Sequence, residues 1–439
     1  MTLPSHAVLL RRIGKLAAPT TMVVALQVIG QLAETWLAAR QGTAALAGWA
    51  VVLPFALLMQ MASAGAMGGG VVSAVARALG AKQPDLASAL VLHAVLIALA
   101  AGLLFAVLLA GMPYALFTLI AGPETAAEAA PYAIWLFGVG AVPVWLTNTL
   151  ASVLRGGGRH GLASRILSVG GVVGPFLAWF LMEPCGFGLK GAGMSVAFVF
   201  IASAIAMAIP VLRGAAGFVP KLFTRPRGAM FSRILSVGLV ASMMAAIANL
   251  TTILVTAQIA SHGPAAVAGY GISARLEFLM IPLAFGVGSA LTALVGQAVG
   301  AGDWPTARRT AWTGGLLALV VAGAVGLTVS VFPTGFASLF SRDPAVVAIA
   351  AQALTYIAPA CAGFGVGMAL YFASMGAARM RWPVVAALSR ISLAVGGGWV
   401  LAQPGGMGLD GHFLGVAIGI TAYGAIIAGA VRPGVWAPR

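Results

Sequence analysis

Charged side chains are scarce in this chain of 439 residues: they make up 8% of it, against 61% hydrophobic residues. So few polar groups cannot cover the surface of a water-soluble globule, which excludes an ordinary soluble domain. Lipid suits such a surface, and a backbone in lipid has to satisfy its hydrogen bonds within helices or closed barrels. No run alternates as a transmembrane strand would, so we expect an all-α integral membrane protein.

Cysteine pairs, metal-binding clusters and nucleotide motifs are also lacking. The two cysteines form no CxxC pair, and the five histidines are scattered at no spacing typical of a metal site. The run Gly156-Gly157-Gly158 has no Lys-Ser/Thr after it, as a phosphate-binding loop requires. Paired acids or histidines at catalytic spacing are absent too, which argues against an intramembrane enzyme. We therefore expect no enzyme activity, no cofactor and no metal, and energy from an ion gradient.

Apolar stretches of about the length that a bilayer requires, roughly 20 residues, recur twelve times. They lie at 17–38, 45–76, 87–111, 131–154, 166–183, 191–212, 234–258, 265–298, 310–333, 345–374, 384–402 and 413–431. The stretches 45–76 and 265–298 are overlong and rich in glycine, which predicts tilted or irregular helix in both.

The sequence is internally duplicated. Gly42–Ala50 (GTAALAGWA) returns 221 positions later as Gly263–Gly271 (GPAAVAGYG), and Gly68–Ala81 returns as Gly288–Ala301 at an offset of 220. A weaker echo places Leu154–Arg159 over Ser374–Arg379, again 220 apart. Three anchors at almost one offset predict two homologous halves.

Six spans in each half give the two copies the same orientation across the membrane. We therefore expect two six-helix lobes related by a pseudo-twofold axis along the membrane normal, around a central cavity. The N-terminal lobe is assigned to residues 1–215 and the C-terminal lobe to 234–439. The segment 216–233, with two prolines and several basic residues, is assigned as a cytoplasmic linker.

Lysine and arginine concentrate on one predicted side of the membrane. That side holds Arg11, Arg12, Lys15, Arg77, Lys82, Arg155, Arg159, Arg165, Arg213, Lys221, Arg225, Arg227, Arg233, Arg308, Arg309, Arg379, Arg381, Arg390, Arg432 and Arg439. The other side has Arg40, Lys190 and Arg342. The positive-inside rule then places both termini in the cytoplasm, in a multi-pass protein of the inner membrane. The net charge of +15 is thus a topology signal, and basic residues dispersed over short loops do not indicate a nucleic-acid partner.

Of nine acidic residues, only Glu34 and Glu277 fall well inside predicted spans. An ionised side chain at the bilayer centre costs on the order of 2.5–3.5 kcal/mol, so such residues usually face protein or water on a transport pathway. Thr20, Gln27, Gln31 and Glu34 share an arc of roughly 60° on helix 1, which predicts a cavity wall.

We predict that Glu34 exchanges a proton and is the coupling site, because a carboxyl group removed from water is easily protonated. The alternative is that Glu34 caps the outer end of the helix, near Arg40. Pro19, fifteen residues before Glu34, is assigned as a hinge. Its alternative place is the first turn of a helix, where proline is tolerated.

The second half carries different polar residues, since the counterpart of Glu34 at an offset of 221 is Val255. Ser242, Asn249, Thr252 and Thr256 form a neutral stripe on helix 7, suited to a substrate or equally to packing between helices. Arg275 and Glu277 are two residues apart on helix 8, so each is expected to pair with another helix. That pairing fits a structural network, or a role in moving substrate or protons.

Several of these segments together resemble the multidrug and toxic compound extrusion (MATE) transporters over nearly the whole chain. In the first half they are Pro19, Glu34 eight residues before Gly42, Ala45–Ala47, Arg77–Ala81, and Asn148 followed by Leu154–Arg159. In the second half they are Ala266–Ala268, Arg275–Glu277 and Val295–Asp303.

The resemblance implies an exporter that opens alternately to either side and exchanges lipophilic cations for protons or sodium ions, usually as a monomer in contact with membrane lipids. Glu34 takes the place of an essential helix-1 aspartate in one branch of the family. That branch also has an Asn and an Asp in helix 5, where this chain has Gly174 and Ala178. Another branch binds sodium with acids of helices 7 and 10, which are missing here, so protons are favoured over sodium.

Substrate contacts are assigned to Gln27, Gln31, Asn148, Asn249, Thr252, Arg275 and Glu277. Two other functions stay open. A lipid-linked-oligosaccharide flippase of the same superfamily should show several cationic residues facing the cavity, and Arg275 alone was counted within the spans. A channel or a structural membrane protein would not move a dye against its gradient.

Overall fold

The computed structural model describes residues 3–222 and 225–437, apart from the side chains at 278, 282 and 283. Helices account for the regular structure of this part of the chain, and it contains no strand. The first half comprises α1 (His6–Arg40), α2 (Thr43–Gln60), α3 (Gly68–Gly80), α4 (Pro84–Ala110), α5 (Pro113–Ala121), α6 (Pro123–Ala133), α7 (Ala141–Gly156), α8 (His160–Met182) and α9 (Leu189–Leu212). A π-helical segment, Met61–Met67, joins α2 to α3, and a second one, Ile134–Val139, follows α6.

The second half follows the same plan. It comprises α10 (Gly228–Ile259), α11 (Pro264–Gly300), α12 (Trp304–Val331), α13 (Pro333–Ser338), α14 (Pro344–Gly376), α15 (Arg381–Ile391), α16 (Gly398–Ala402) and α17 (Leu409–Ala430). A short 3₁₀ turn, Ala260–His262, links α10 to α11, and the π-helical segment Ser392–Gly397 joins α15 to α16.

The described residues form eleven helices long and apolar enough to cross a membrane, or twelve when the bent pair Pro123–Val139 and Ala141–Gly156 counts as one. These helices cover all twelve predicted spans, so the all-α class and the number of spans are confirmed. The pair bends by 44° at Gly140. Pro143, which has no backbone N–H to donate, follows directly and favours a kink there.

Helix α1 begins at His6, eleven residues before the predicted span start at position 17. The span start marks where apolar sequence begins, whereas the helix also includes Arg11, Arg12 and Lys15. Arginine and lysine are good helix formers, so the backbone continues as helix beyond the apolar stretch. The end of an apolar run is therefore a poor guide to the end of this helix.

The irregularity expected in the two overlong spans is found in one of them. The span 45–76 contains the π-helical segment Met61–Met67, which is followed by the run Gly68-Gly69-Gly70. A Cβ on Gly70 would lie 2.8 Å from the carbonyl oxygen of Ile234, so this glycine permits close approach of another backbone. The span 265–298 lies in α11, which runs as continuous α-helix.

The chain divides into two compact units. One unit consists of Leu16–Leu239. Its core includes the fully buried side chains of Phe117, Phe137, Met182 and Met207. The other consists of Met1–Lys15 with Val240–Arg439, and buries Phe413 and Trp436. The lobe boundaries predicted from the sequence stay a prediction.

Small residues let helices approach closely within each unit, as expected where lipid removes the usual hydrophobic drive between helices. In the second half, Gly424 of α17 lies against Gly363 of α14, and a Cβ on Gly424 would meet the Gly363 carbonyl oxygen, with the carbonyl carbon at 2.9 Å. A Cβ on Gly429, which belongs to the same helix, would meet no atom within 4 Å.

We expect Gly424→Ala to destabilise the protein by about 1–3 kcal/mol, because the added methyl group overpacks a backbone contact. Gly429→Ala is the matched control and should be neutral or slightly stabilising, since alanine is the better helix former. Thermal unfolding of both variants in one detergent measures the difference. Equal unfolding temperatures for the two variants would contradict the close contact between α14 and α17.

Candidate functional site

Glu34 is half-buried on α1 and interacts electrostatically with Trp49 of α2 and Tyr132 of α6. Both aromatic side chains are buried, at 6% and 2% exposed. The indole Nε1 of Trp49 is buried and has no well-oriented hydrogen bond among the described residues. Two neutral hydrogen-bond donors, an indole and a phenol, accompany the acid that the sequence singled out.

Trp49 and Tyr132 were missed from the sequence because they lie on other helices, at no fixed spacing from Glu34. One signal was available. Trp49 belongs to the repeated segment Gly42–Ala50, and its mate in the second half is Tyr270. In both halves this position therefore carries a large aromatic residue with a polar hydrogen.

The polar stripe of α1 is partly kept in the structure. Gln27 and Gln31 are half-buried, as Glu34 is, and the hydroxyl of Thr35 donates to the carbonyl of Gln31 at 2.8 Å. Thr20 is fully buried instead and contacts Nδ1 of His160 on α8 at 3.4 Å. Thr20 therefore packs between helices, while the assignment of Gln27 and Gln31 to a substrate path stays a prediction.

The ion pair at the end of α1 bears on the alternative interpretation of Glu34. Arg40 pairs with Glu183 at 2.7 Å, and Trp179 donates its indole N–H to the same carboxylate at 3.0 Å. The carboxylate partner of Arg40 is thus Glu183, at the end of α8. Glu34 lies six residues before the end of α1, so neither its position nor its contacts fit a cap of that end.

Pro19 lies in the interior of α1, thirteen residues after the helix begins at His6. The alternative that it occupies the first turn is therefore wrong, because the helix extends over the basic N-terminal residues. Proline has no N–H, so the carbonyl of Lys15, four residues earlier, loses its helical partner. The two compact units also divide α1 directly after Lys15. The hinge role itself stays a prediction.

Asn148 is buried on α7 and its amide is already occupied. Its Nδ2 donates to the hydroxyl of Ser63 at 2.8 Å and to Oε1 of Gln60 at 3.2 Å, and Ser63 in turn donates to the carbonyl of Met59 at 2.7 Å. These partners flank the start of the π-helical segment Met61–Met67. Asn148 therefore ties α7 to the irregular part of the second span, and Gln60 and Ser63 are polar residues that the sequence analysis did not single out.

Asn249 and Thr252 of α10 bond to their own helix. The amide of Asn249 donates to the carbonyl of Ala245 at 2.9 Å, and the hydroxyl of Thr252 donates to the carbonyl of Ala248 at 3.3 Å. Asn249 is exposed and Thr252 is half-buried. A role of either residue in substrate binding stays a prediction.

Arg275 and Glu277 contact other elements rather than each other, as their spacing indicated. The guanidinium of Arg275 lies 5.2 Å from the ring of Phe340. The carboxylate of Glu277 pairs with Arg390 at 2.6 Å. Arg390 was listed above among the basic residues of the predicted cytoplasmic side, although the predicted span 384–402 includes it. Arg390 is the tenth residue of the membrane-length helix Arg381–Ala402.

The fifth membrane span, α8, lacks the Asn and the Asp that one branch of the family carries in this helix. Gly174 and Ala178 both lie on α8, where Ala178 is buried and the carbonyl of Gly174 accepts a hydrogen bond from Ser195 at 2.9 Å. A Cβ on Gly174 would meet no atom within 4 Å. These two positions therefore add no side-chain oxygen to the unit that holds Glu34. Among the described residues, no group of three or more His, Cys, Asp or Glu side chains is arranged to hold a metal ion.

Comparison with known proteins shows one family. The MatE family model matches residues 19–180 and again 239–400. The two matches are separated by the same offset as the sequence repeat, so the predicted duplication is confirmed. A curated relative, the probable multidrug resistance protein NorM of Geobacillus kaustophilus, is 27% identical over 314 residues, which cover 68% of this chain and 67% of that protein.

Solved structures share the fold. A crystal structure of a MATE protein in the bent conformation has a TM-score of 0.89 at 21% identity and covers 99% of this chain and 98% of that one. A MOP superfamily transporter from Pyrococcus furiosus, described as having a binding pocket of reverse polarity that suggests a different function, has a TM-score of 0.87 at 21% identity over 99% of both chains.

The two asparagines give a matched test of the geometry. Asn148→Ala should lower stability by about 1–2 kcal/mol, because it removes the hydrogen bonds that its amide donates to Gln60 and Ser63. Asn249→Ala removes an exposed side chain that bonds its own helix and should change stability by at most about 0.5 kcal/mol. Thermal unfolding in detergent compares the two variants. A larger loss for Asn249→Ala than for Asn148→Ala would contradict the assigned contacts.

Proposed function

Because the chain belongs to the MATE family of membrane transporters, we propose that it is a secondary active multidrug exporter which exchanges lipophilic cations for protons by alternating access. The observation that carries this proposal is the placement of Glu34. It is a half-buried carboxyl on a membrane-length helix, and the side chains that interact with it, Trp49 and Tyr132, carry no positive charge. A carboxyl in such surroundings is neutral when protonated and attracts a cation when it is not.

The exchange cycle follows from competition for this one carboxyl. In the outward-open form Glu34 takes up a proton and the bound cation leaves. The protonated, neutral site then returns to the inward-open form through bending of α1 at Pro19. A cation from the cytoplasm displaces the proton and the cycle repeats. Mutually exclusive binding of proton and substrate gives coupled exchange without a further device.

The side chains that interact with Glu34 and Glu277 favour protons over sodium as the coupling ion. Glu34 has an indole and a phenol beside it, and Gly174 and Ala178 supply no further acidic oxygen. The other candidate, Glu277, already holds a cation, since the guanidinium of Arg390 lies 2.6 Å away. Hard cations prefer several oxygen ligands with negative charge, which neither place offers.

The flippase alternative has little support from the basic residues. The predicted spans contain two arginines, Arg275 and Arg390, although only Arg275 was counted above. Arg275 stacks on Phe340 and Arg390 pairs with Glu277. Neither guanidinium is therefore an uncommitted partner for a pyrophosphate group. The localisation that fits an exporter is the inner membrane, with both termini in the cytoplasm, and the working form that we propose is a monomer among membrane lipids.

The decisive experiment is efflux of a fluorescent lipophilic cation from vesicles that contain the purified protein, under an imposed pH gradient or an imposed sodium gradient. We expect efflux to follow the pH gradient and Glu34→Gln to lose at least about 90% of it, because a neutral amide cannot exchange a proton. Glu124→Gln, at an exposed acid of the same unit, is the matched control and should behave as the native protein. Full pH-driven efflux by Glu34→Gln, or efflux driven by sodium alone, would overturn the proposal.

The hinge role of Pro19 has a separate test. Pro19→Ala restores a helical N–H opposite the carbonyl of Lys15 and should straighten and stiffen α1. We expect a several-fold fall in the efflux rate with substrate affinity changed little, since the binding groups remain. Pro54→Ala, which alters a proline inside α2, serves as control. An unchanged rate for Pro19→Ala, measured in the same vesicles, would show that bending at this residue is not part of the cycle.

A further inference from the structure

Glu277, the second acid inside the spans, has a positively charged neighbour, whereas the neighbours of Glu34 are uncharged. Glu277 of α11 and Arg390 of α15 form a direct ion pair, with Nη2 and Oε2 2.6 Å apart. Only 19% of the Glu277 side chain and 12% of the Arg390 side chain are exposed. Charge-assisted bonds of this length are strong, and this one is largely shielded from water.

The groups around the pair come from three helices. Tyr270 of α11 and Cys361 of α14 interact with the Glu277 carboxylate, and Tyr423 of α17 interacts with Arg390. The guanidinium also lies 5.8 Å from the ring of Phe364. Neighbouring Arg275 is directed to Phe340 instead. Among the described groups that interact with Glu277, Arg390 is therefore the cation that compensates its charge.

The charge state of this pair is fixed by its chemistry. An arginine side chain keeps its proton in proteins, and a carboxylate that holds an opposite charge at contact distance stays ionised. Glu277 therefore has a fixed positive partner at contact distance in this structure. Glu34 differs because its partners, Trp49 and Tyr132, carry no positive charge.

The pair is specific to the second half of the chain. At the repeat offset of 220, Glu277 corresponds to Leu57 and Arg390 to Gly170 in the first half. At the offset of 221 that holds for the repeated segment next to it, Glu34 corresponds to Val255 in the second half. Neither half reproduces the acid of the other. Of the two acids well inside the predicted spans, Glu277 thus has a counter-ion, whereas Glu34 has no ion pair within the described part of the chain.

We propose that Arg390 sets the proton stoichiometry of the transporter, by holding Glu277 as a permanent carboxylate so that one proton is exchanged per turnover, at Glu34. This inference rests on the proposed function of Glu34. Arg390 is in this sense a positioning residue, since it acts through Glu277. Removing its charge while leaving the carboxyl in place creates a second membrane carboxyl without a counter-ion. Without its fixed positive partner, such a group binds and releases a proton in each cycle as Glu34 does, because it is costly to leave charged and unpaired.

The test measures the steady-state accumulation ratio of a fluorescent lipophilic monocation in vesicles at a fixed pH difference, with the membrane potential held at zero. For a pH difference of about one unit, one proton per cation limits the ratio to about tenfold, and two protons raise the limit to about a hundredfold. We expect the native protein and Arg390→Lys to approach the lower limit. Arg390→Gln should exceed it, and its efflux should depend more steeply on pH.

A double variant keeps the proposal testable if Arg390→Gln does not fold. Glu277→Gln with Arg390→Gln removes both charges and leaves no unpaired ion, so we expect native proton coupling from it. Loss of coupling in this double variant would show that Glu277 carries protons, and would overturn the proposal. The proposal would also be overturned if folded Arg390→Gln gave an accumulation ratio at or below about tenfold with an unchanged pH profile. The ion pair would then have a purely structural role. Failure of the Glu34 assignment is distinguishable, because Glu34→Gln would then keep its pH-driven efflux.

Discussion

The free energy of holding a carboxylate away from water constrains this molecule more than any other interaction. An ionised acid deep in a bilayer needs a compensating charge, a hydrogen-bonding site or a proton. The two acids that lie well inside the predicted spans meet that need differently. Glu277 has the guanidinium of Arg390 at 2.6 Å, whereas Glu34 has Trp49 and Tyr132, which can donate hydrogen bonds but bring no charge. A group that is stabilised by a fixed cation keeps one charge state, and a group that is only partly stabilised can alternate between two.

The scaffold around these acids depends on close backbone contacts. In lipid, apolar side chains gain little by leaving the solvent, so packing and interhelical hydrogen bonds hold the helices together. The contact of Gly363 with Gly424 and the bonds of Asn148 to Gln60 and Ser63 illustrate both kinds of interaction. The π-helical segment Met61–Met67 shows that such a bond can also support an irregular stretch of helix. Rigid contacts of this type allow a limited bend, such as one at Pro19, without loss of the rest of the bundle.

Hydropathy and the internal repeat were sufficient to predict the all-α class, the twelve spans and the duplication. These features depend on local composition and on comparison of the chain with itself. The start of α1 at His6 was not predictable in the same way, because basic residues interrupt the apolar run without interrupting the helix. The proline alternative failed for the same reason.

The candidate sites depend on contacts between distant parts of the chain, and there the sequence was less informative. Glu34 and Glu277 stood out because acids are rare in the spans, but their partners did not. Trp49 and Tyr132 were indistinguishable from other aromatic residues of membrane helices. Arg390 was listed on the cytoplasmic side because basic residues near span ends usually lie there, and its pairing with Glu277 offsets the cost of a charge within a membrane-length helix. Asn148 was singled out by the family resemblance, yet its bonds to Ser63 and Gln60 could not be predicted from its position in the sequence.

Proton release on substrate binding tests the central role of Glu34 most directly. Purified protein in weakly buffered detergent solution is mixed with a saturating lipophilic monocation, and the change in pH is recorded with an indicator dye. Competition between proton and cation at one carboxyl predicts release of about one proton per bound cation, and none from Glu34→Gln. Binding without proton release by the native protein, or equal release by Glu34→Gln, would contradict the assignment of Glu34 as the site of exchange.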